Sequence, residues 1–234
     1  MIGVYDYTVV LTYMSLLSGA LGIIVSLYGP GHPFLGVFFL MFSGLCDAFD
    51  GKVARLKKDR TDFQKKFGVQ IDSLADLVAF GVLPACIGNS MLWSYPHISD
   101  RIPHMIKGDR KEGIFLIVLY TIMVFYILAA LIRLAYYNVT EEERQKTEDT
   151  ARKYFTGLPV TSASLIFPMV LLVQFLTVTD ITPWYFAIMA LVAMLFVSKI
   201  PFRKPDFKGL MILVAAGAVE FTILMVFWWF SKTL

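Results

Sequence analysis

Residues 34–55 read FLGVFFLMFSGLCDAFDGKVAR, an apolar run that ends in two aspartates and two basic residues. The apolar part alone is almost as long as a membrane-spanning helix, which needs about 20 residues. Ionised side chains in or beside such a helix are costly, and they usually face the protein interior and serve a function. The position of Asp47 and Asp50 therefore raises the question of what their carboxylates bind.

Composition places the whole chain in a membrane. Of its 234 residues, 57% are hydrophobic and 17% are charged, and the mean hydropathy is +0.67. Soluble domains have about 45–50% apolar and about 25% charged residues. The formal net charge of +3 is too small to indicate a nucleic-acid partner. The two cysteines, Cys46 and Cys86, lie in or beside apolar segments and indicate neither a disulfide framework nor a zinc site.

Apolar segments separated by Pro, Gly and polar stretches predict an all-α, polytopic membrane bundle. We see no internal repeat, so residues 1–234 are expected to form a single domain. Seven segments are long enough, or nearly so, to cross a bilayer. They are 8–28, 34–54, 69–93, 113–136, 155–178, 182–198 and 210–230.

The distribution of Lys and Arg predicts the orientation, because cytoplasmic loops of membrane proteins are enriched in these residues. Sixteen of them fall in 52–66, 133–153 and 199–208, which lie on one side if all seven segments span. The other side carries five, four of them in the 94–111 loop. We therefore expect an integral plasma-membrane protein with a cytoplasmic N-terminus, an external C-terminus and a site that faces the cytoplasm.

Four aspartates cluster at the ends of two consecutive spans. Asp47 and Asp50 end the second span, and Asp72 and Asp76 begin the third. Residues three or four apart share a helix face, and consecutive spans run antiparallel. Asp50 is therefore expected to face Asp72, with Asp47 facing Asp76 about one turn deeper. The spacing predicts a cage of four carboxylates on two facing helices.

Such a cage needs positive charge, since four nearby carboxylates cannot all stay ionised without it. Mg²⁺ favours carboxylates together with substrate phosphates, and two such ions would balance four negative charges. Gly51 and Ala54, on the same helix face, leave room for a ligand, and Arg55 beside them suits a carboxylate or phosphate. These residues leave two possibilities open, a metal-dependent enzyme of phosphoryl chemistry and a transporter of divalent metal ions.

The sequences DAFDGKVAR, residues 47–55, and GVQIDSLAD, residues 68–76, resemble a family signature. It is that of the CDP-alcohol phosphatidyltransferases: Asp, two residues, Asp-Gly, two residues, Ala-Arg, a spacer, Gly, three residues, Asp, three residues, Asp. Every fixed position is present. The spacer, 56–67, has twelve residues where many members have eight, and the difference corresponds to about one helical turn.

The resemblance implies a membrane enzyme with a six-helix catalytic core, here with one or two additional C-terminal helices, that usually forms a homodimer. Such an enzyme moves a phosphatidyl group from a CDP-linked lipid to an alcohol and releases CMP. The resemblance also implies a divalent metal cofactor, Mg²⁺ or Mn²⁺, with two ions expected. Carried over to this chain, the resemblance implies four metal ligands: Asp47, Asp50, Asp72 and Asp76. It also implies that Asp76 is the catalytic base. The implied residues that bind the CDP-lipid are Asp47, Asp50, Gly51, Ala54, Arg55 and Gly68.

Further stretches are similar to the serine-using branch of this family, namely DSLADLVAFGVLPA at 72–85, IRLAYYN at 132–138 and FTGLPVTSA at 155–163. The resemblance implies CDP-diacylglycerol and L-serine as substrates, within membrane lipid. Arg133 suits the serine carboxylate, although a basic residue at a helix end also fits snorkelling to the membrane interface. Asn138 is a second acceptor-binding candidate, or else a loop residue or a helix cap. Glycerol 3-phosphate and inositol phosphate remain alternative acceptors, and the role of Glu220 in the last span is left open.

Overall fold

The computed structural model describes residues 2–28, 32–94, 110–147, 154–177 and 180–233. Seven helices contain most of these described residues, which confirms the predicted helical bundle of six helices and one more at the C-terminus. They are α1 Val10–Leu27, α2 Pro33–Leu56, α3 Asp62–Ser94, α4 Arg110–Thr147, α5 Ala163–Thr177, α6 Thr182–Phe196 and α7 Phe207–Thr233.

Within the described residues, five helices are long and apolar enough to cross a membrane: α1, α2, α3, α4 and α7. The protein is therefore an integral membrane protein. Helices α5 and α6 have 15 residues each, or about 22 Å, less than the ~30 Å hydrocarbon core. That these two helices also cross the bilayer stays a prediction. The predicted connection at 94–111 lies almost wholly outside the described residues.

Three predicted boundaries are wrong, each for a local reason. The fifth helix does not begin at 155, because β1 Tyr154–Thr156 pairs antiparallel with β2 Pro201–Arg203. The fourth continues well past 136, where charged pairs such as Arg144 with Glu141 support its last turns. The third begins at Asp62, seven residues before its apolar run, because Thr61 and Gln64 cap its first turn reciprocally.

A proline alters the middle of α3. Residues Leu77–Val82 form a π-helical turn just after Asp76. Pro84 has no N–H, so it cannot donate to the carbonyl of Phe80 one turn earlier. The buried hydroxyl of Tyr126 donates to that carbonyl instead, at 2.7 Å, and the hydroxyl of Tyr185 donates to the carbonyl of Pro84 at 2.8 Å. The aromatic core between α3, α4, α5 and α6 thus holds α3 in place just beyond its carboxylates.

Small and hydroxyl side chains let α1 pack closely on both α2 and α3. Ser15 and Ser43 each donate to the other's backbone carbonyl, at 3.3 and 3.0 Å. A Cβ atom on Gly19 would lie only 3.0 Å from the Cα of Ala79, in the π-helical turn of α3. Helix α1 therefore contacts both of the helices that carry the aspartates.

Candidate metal and substrate site

The four aspartates come together where the C-terminal end of α2 meets the N-terminal part of α3. One carboxylate oxygen from each of Asp47, Asp50 and Asp72 lies within 4.8 Å of the other two. Asp47 is within hydrogen-bonding distance of Asp76, and Asp50 is within hydrogen-bonding distance of Asp72. These are the pairs that the helical spacing predicts, whereas the roles of the four residues stay predictions.

The surroundings of the carboxylates suit a hard cation. Asp50 and Asp76 are only 9% and 7% exposed, and Asp47 and Asp72 are half-buried. Within the described residues, Oδ1 of Asp72 is buried without a hydrogen-bond partner. Mg²⁺ and Mn²⁺ prefer carboxylate oxygens, so the group of three and this unpartnered oxygen fit such an ion. Asp76 lies beside the group, in contact through Asp47.

The residues predicted to border the CDP-lipid lie around the α2–α3 connection. A Cβ atom added to Gly51 would meet only the guanidinium of Arg55, at 3.6 Å or more, so Arg55 folds back over this glycine. Gly68, at the other end of the connection, is covered by Nη2 of Arg60, 2.7 Å from an added Cβ. Each glycine is therefore open apart from one arginine tip, as close approach of a ligand requires.

Two residues that our sequence analysis did not single out fix this connection. Arg60 donates to the carbonyls of Ala54 at 3.5 Å and Gln64 at 3.2 Å, linking the end of α2 to the start of α3. Asp6, before α1, accepts from Nζ of Lys57 at 2.8 Å. The unusual length of the spacer was the only sequence signal for Arg60, and we find none for Asp6.

Arg133 lies inside α4, not at its end, because the helix continues to Thr147. Its side chain is only 6% exposed, and its Nε donates to the carbonyl of Leu158 at 3.2 Å. The guanidinium also stacks on the rings of Tyr137 and Phe155, 4.8 and 5.7 Å from their centroids. An arginine that snorkels to the membrane interface is not buried and fixed in this way. The acceptor-binding role of Arg133 stays a prediction.

Asn138 also lies inside α4, which continues to Thr147, so the alternatives of a loop residue and of a helix cap are both wrong. Its amide Nδ2 donates to Oγ of Ser73 at 2.7 Å. Ser73 directly follows Asp72, so this contact ties α4 to the carboxylate-bearing part of α3. Binding of the acceptor by Asn138 stays a prediction.

Glu220 is only 5% exposed, and within the described residues its Oε1 has no hydrogen-bond partner. The next residue, Phe221, contacts the ring of Phe38 at 5.3 Å between centroids. Phe38 precedes Asp47 by nine residues, or about 13 Å along α2. Phe221, next to Glu220, therefore packs against a part of α2 that lies well before the aspartates.

Fold and site together define a membrane-embedded helical protein with a carboxylate centre suited to a divalent cation. The profile of the CDP-alcohol phosphatidyltransferase family matches residues 8–199, and the chain belongs to this family. The matched range contains all four aspartates.

Several curated proteins are similar to this chain over most of its length. A CDP-diacylglycerol–serine O-phosphatidyltransferase from Saccharomyces cerevisiae is 34% identical over 167 residues, 67% of this chain and 51% of the relative. A protein of the same name from Mycobacterium tuberculosis (strain H37Rv) is 28% identical over 196 residues, which are 82% of this chain and 59% of the relative. An archaetidylserine synthase from Methanothermobacter thermautotrophicus is 27% identical over 199 residues, 85% and 70%. The chain thus spans about half to two thirds of the length of these relatives.

Proposed function

We propose that this protein transfers the phosphatidyl group of CDP-diacylglycerol to L-serine and releases phosphatidylserine and CMP. The observation that carries the proposal is the convergence of Asp47, Asp50 and Asp72, with Asp76 beside them, in a chain that belongs to the CDP-alcohol phosphatidyltransferases. Serine is supported by the names of the relatives, which differ in the lipid but share a serine-containing product.

In this proposal Asp47, Asp50 and Asp72 hold a divalent metal, with Asp76 as a further ligand. The unpartnered Oδ1 of Asp72 supports a cation at this position. We propose Mg²⁺ or Mn²⁺, and two ions rather than one, since four carboxylates face one another. Such ions, when bound, would neutralise charge on the diphosphate and on the departing CMP.

Asp76 is proposed as the general base. Its carboxyl group lies at the edge of the group of three, next to Asp47, and the π-helical turn follows it directly. It would accept the proton of the serine hydroxyl while the hydroxyl oxygen bonds to the phosphorus that carries diacylglycerol. The bond from that phosphorus to the bridging oxygen breaks, and CMP leaves with the electron pair.

The remaining residues are proposed to bind and orient the two substrates. Gly51, Ala54, Arg55 and Gly68 would border the CDP part, where the two glycines leave open space. Arg133 would bind the serine carboxylate through its planar guanidinium, held in place by Leu158 and the two rings. Asn138 would support this side of the site through Ser73.

We also propose that the chain is a single domain in the plasma membrane, that it forms a homodimer and that its site faces the cytoplasm. The bias of Lys and Arg toward 52–66 supports the orientation. Labelling of a cysteine placed at the exposed Lys58 with a membrane-impermeant maleimide tests it. Labelling is expected only after the membrane is permeabilised.

Mass determination of the detergent-solubilised protein tests the homodimer.

The central experiment is an acceptor panel with purified protein in detergent. CDP-diacylglycerol is offered with serine, glycerol 3-phosphate or inositol phosphate, with Mg²⁺, with Mn²⁺ or with EDTA. Lipid products are read by mass spectrometry, and CMP is measured in parallel. We expect CMP and phosphatidylserine together, only with serine and only with metal.

Two other results would refute the proposal in different ways. A lipid product with another acceptor, and none with serine, would keep the chemistry and replace the acceptor. Uptake of a divalent metal into vesicles, without release of CMP under any condition, would instead favour the transporter that the intramembrane carboxylates also allow.

A further inference from the structure

Helix α1, which lies outside the family signature, reaches the carboxylate group through one side chain. Oγ1 of Thr12 donates to Oδ2 of Asp50 at 3.1 Å. Thr12 is 6% exposed, so water does not compete freely for this bond. A threonine within a helix often bonds the carbonyl one turn earlier, but this hydroxyl is directed across to α2.

The position of Thr12 is fixed by its neighbours on the same face of α1. Thr12, Ser15 and Ser18 follow at three-residue spacing and face α2. Ser15 bonds the backbone carbonyl of Ser43, and Ser18 bonds that of Phe39 at 2.8 Å. Of these three hydroxyls only that of Thr12 donates to a side chain, and that side chain is one of the grouped aspartates.

We infer that Thr12 is a positioning residue for the metal centre, one that holds the Asp50 carboxylate in the orientation needed to bind the ion. The hydrogen bond to Oδ2 fixes the rotation of the Asp50 carboxylate, one oxygen of which lies within 4.8 Å of a carboxylate oxygen of Asp47 and of Asp72. Hydrogen bonds to metal-binding groups fix their orientation, and their loss typically lowers metal affinity about 10- to 100-fold. The inference rests on the proposed function, since it assumes that the aspartates bind a metal.

The test is a titration of purified protein with Mn²⁺ alone, with free Mn²⁺ measured by electron paramagnetic resonance and without either substrate. Thr12→Val keeps the shape of the side chain and removes the hydroxyl, so the Kd for Mn²⁺ should rise about 10- to 100-fold. Thr12→Ser keeps the donor and should bind Mn²⁺ within about threefold of wild type, since its hydroxyl replaces the lost bond. Ser18→Ala is the matched control, because it removes a hydroxyl of the same helix face that touches no carboxylate, and it should leave the Kd unchanged.

Two results would overturn the role of Thr12. The first is wild-type affinity for Mn²⁺ in a Thr12→Val protein whose thermal unfolding is also like wild type. The second is a Thr12→Ser protein whose Kd for Mn²⁺ rises about 10- to 100-fold above that of wild type, since the retained hydroxyl would then not be what maintains the affinity. The second criterion still applies if Thr12→Val does not fold.

The outcome for the proposed function is separate. Wild-type protein that binds Mn²⁺ but transfers no phosphatidyl group would refute the function and leave the Thr12 comparison intact. Wild-type protein that binds no Mn²⁺ would overturn the role of Thr12 together with the proposed metal centre.

Discussion

Asp6, which precedes α1, accepts a 2.8 Å hydrogen bond from Nζ of Lys57, which follows α2. This bond, with a smaller contribution from the hydroxyl of Thr8, lowers the pKa of Asp6 from 3.8 to about 2. A carboxyl group with a lowered pKa in the folded protein stabilises the fold when it is ionised. Its contribution is therefore complete above about pH 4 and is lost as the pH falls from 4 toward 2.

Asp6→Asn should consequently lower the thermal unfolding temperature at pH 7, and the difference from wild type should shrink as the pH falls below 4. The measurement is a series of unfolding curves in detergent between pH 3 and pH 8. Asp62→Asn is the control, because its ion pair with Lys65 is long, at 3.6 Å, and highly exposed. A difference between wild type and Asp6→Asn that stays constant down to pH 3 would contradict the assignment.

Asp76 and Asp50 should separate catalysis from binding. Asp76→Asn removes the proposed base and should lower turnover about 100- to 10,000-fold, while CDP-diacylglycerol still binds. Asp50→Asn removes a member of the closely spaced group of three and should weaken binding of both Mn²⁺ and CDP-diacylglycerol. Single-turnover rates and equilibrium binding, measured for both variants, distinguish the two effects. Near-normal turnover of Asp76→Asn would exclude this residue as the base.

Gly51 offers a test of the CDP site in which folding is not disturbed. An added Cβ meets only Arg55, at an ordinary contact distance of 3.6 Å, so Gly51→Ala should unfold at the wild-type temperature. If CDP passes close to Gly51, the KM for CDP-diacylglycerol should rise about tenfold, since overpacking costs about 1–3 kcal/mol.

Gly44→Ala is the matched comparison on the same helix. Its added Cβ would clash with Oγ of Ser164 on α5, so this variant should lose thermal stability. An unchanged KM in stable Gly51→Ala protein would place the CDP part of the substrate away from this glycine.

Arg133 should determine the affinity for serine. Arg133→Lys keeps the charge but loses the planar guanidinium, and the KM for serine should rise about 10- to 100-fold, as expected for a lost charged hydrogen bond of about 1.5–3 kcal/mol. Serine saturation at fixed CDP-diacylglycerol measures this change. Thermal unfolding must be measured too, because the same side chain holds the carbonyl of Leu158.

Lys204→Ala is the control for Arg133, since its Nζ lies 5.5 Å from the centroid of the Phe155 ring, on which Arg133 also stacks. It should change the KM for serine little. An equal rise in both variants would show that disturbance of the shared Phe155 ring, and not loss of the Arg133 guanidinium, weakens binding of the acceptor.

The sequence predicts the site better where periodicity applies than where distant segments meet. Asp47, Asp50, Asp72 and Asp76 could be paired in advance, because helical spacing and an antiparallel turn determine which residues face one another. The contact of Thr12 with Asp50 and that of Asp6 with Lys57 join segments far apart in the chain. Hydropathy contains no signal for such contacts, since they depend on which face of α1 packs against α2.

The secondary structure follows the same division. Apolar runs predicted the seven helices of the described residues. The ends of these helices depend on polar interactions that hydropathy does not register, such as the reciprocal cap of Thr61 and Gln64. The three-residue strand Tyr154–Thr156 was missed because its partner, Pro201–Arg203, lies beyond two further helices. Its pairing is a tertiary contact, and a strand this short has no alternating pattern to read.

The π-helical turn of α3 amounts to a one-residue insertion that changes the helical phase. In an uninterrupted α-helix, Asp76, Leu83 and Ile87 would lie along one stripe, at seven and four residues' separation. The wider turn rotates the later residues away from that stripe by up to about 100°, the angle of one residue in an α-helix. One continuous helix can therefore direct its first half at a polar centre and its second half at an apolar core.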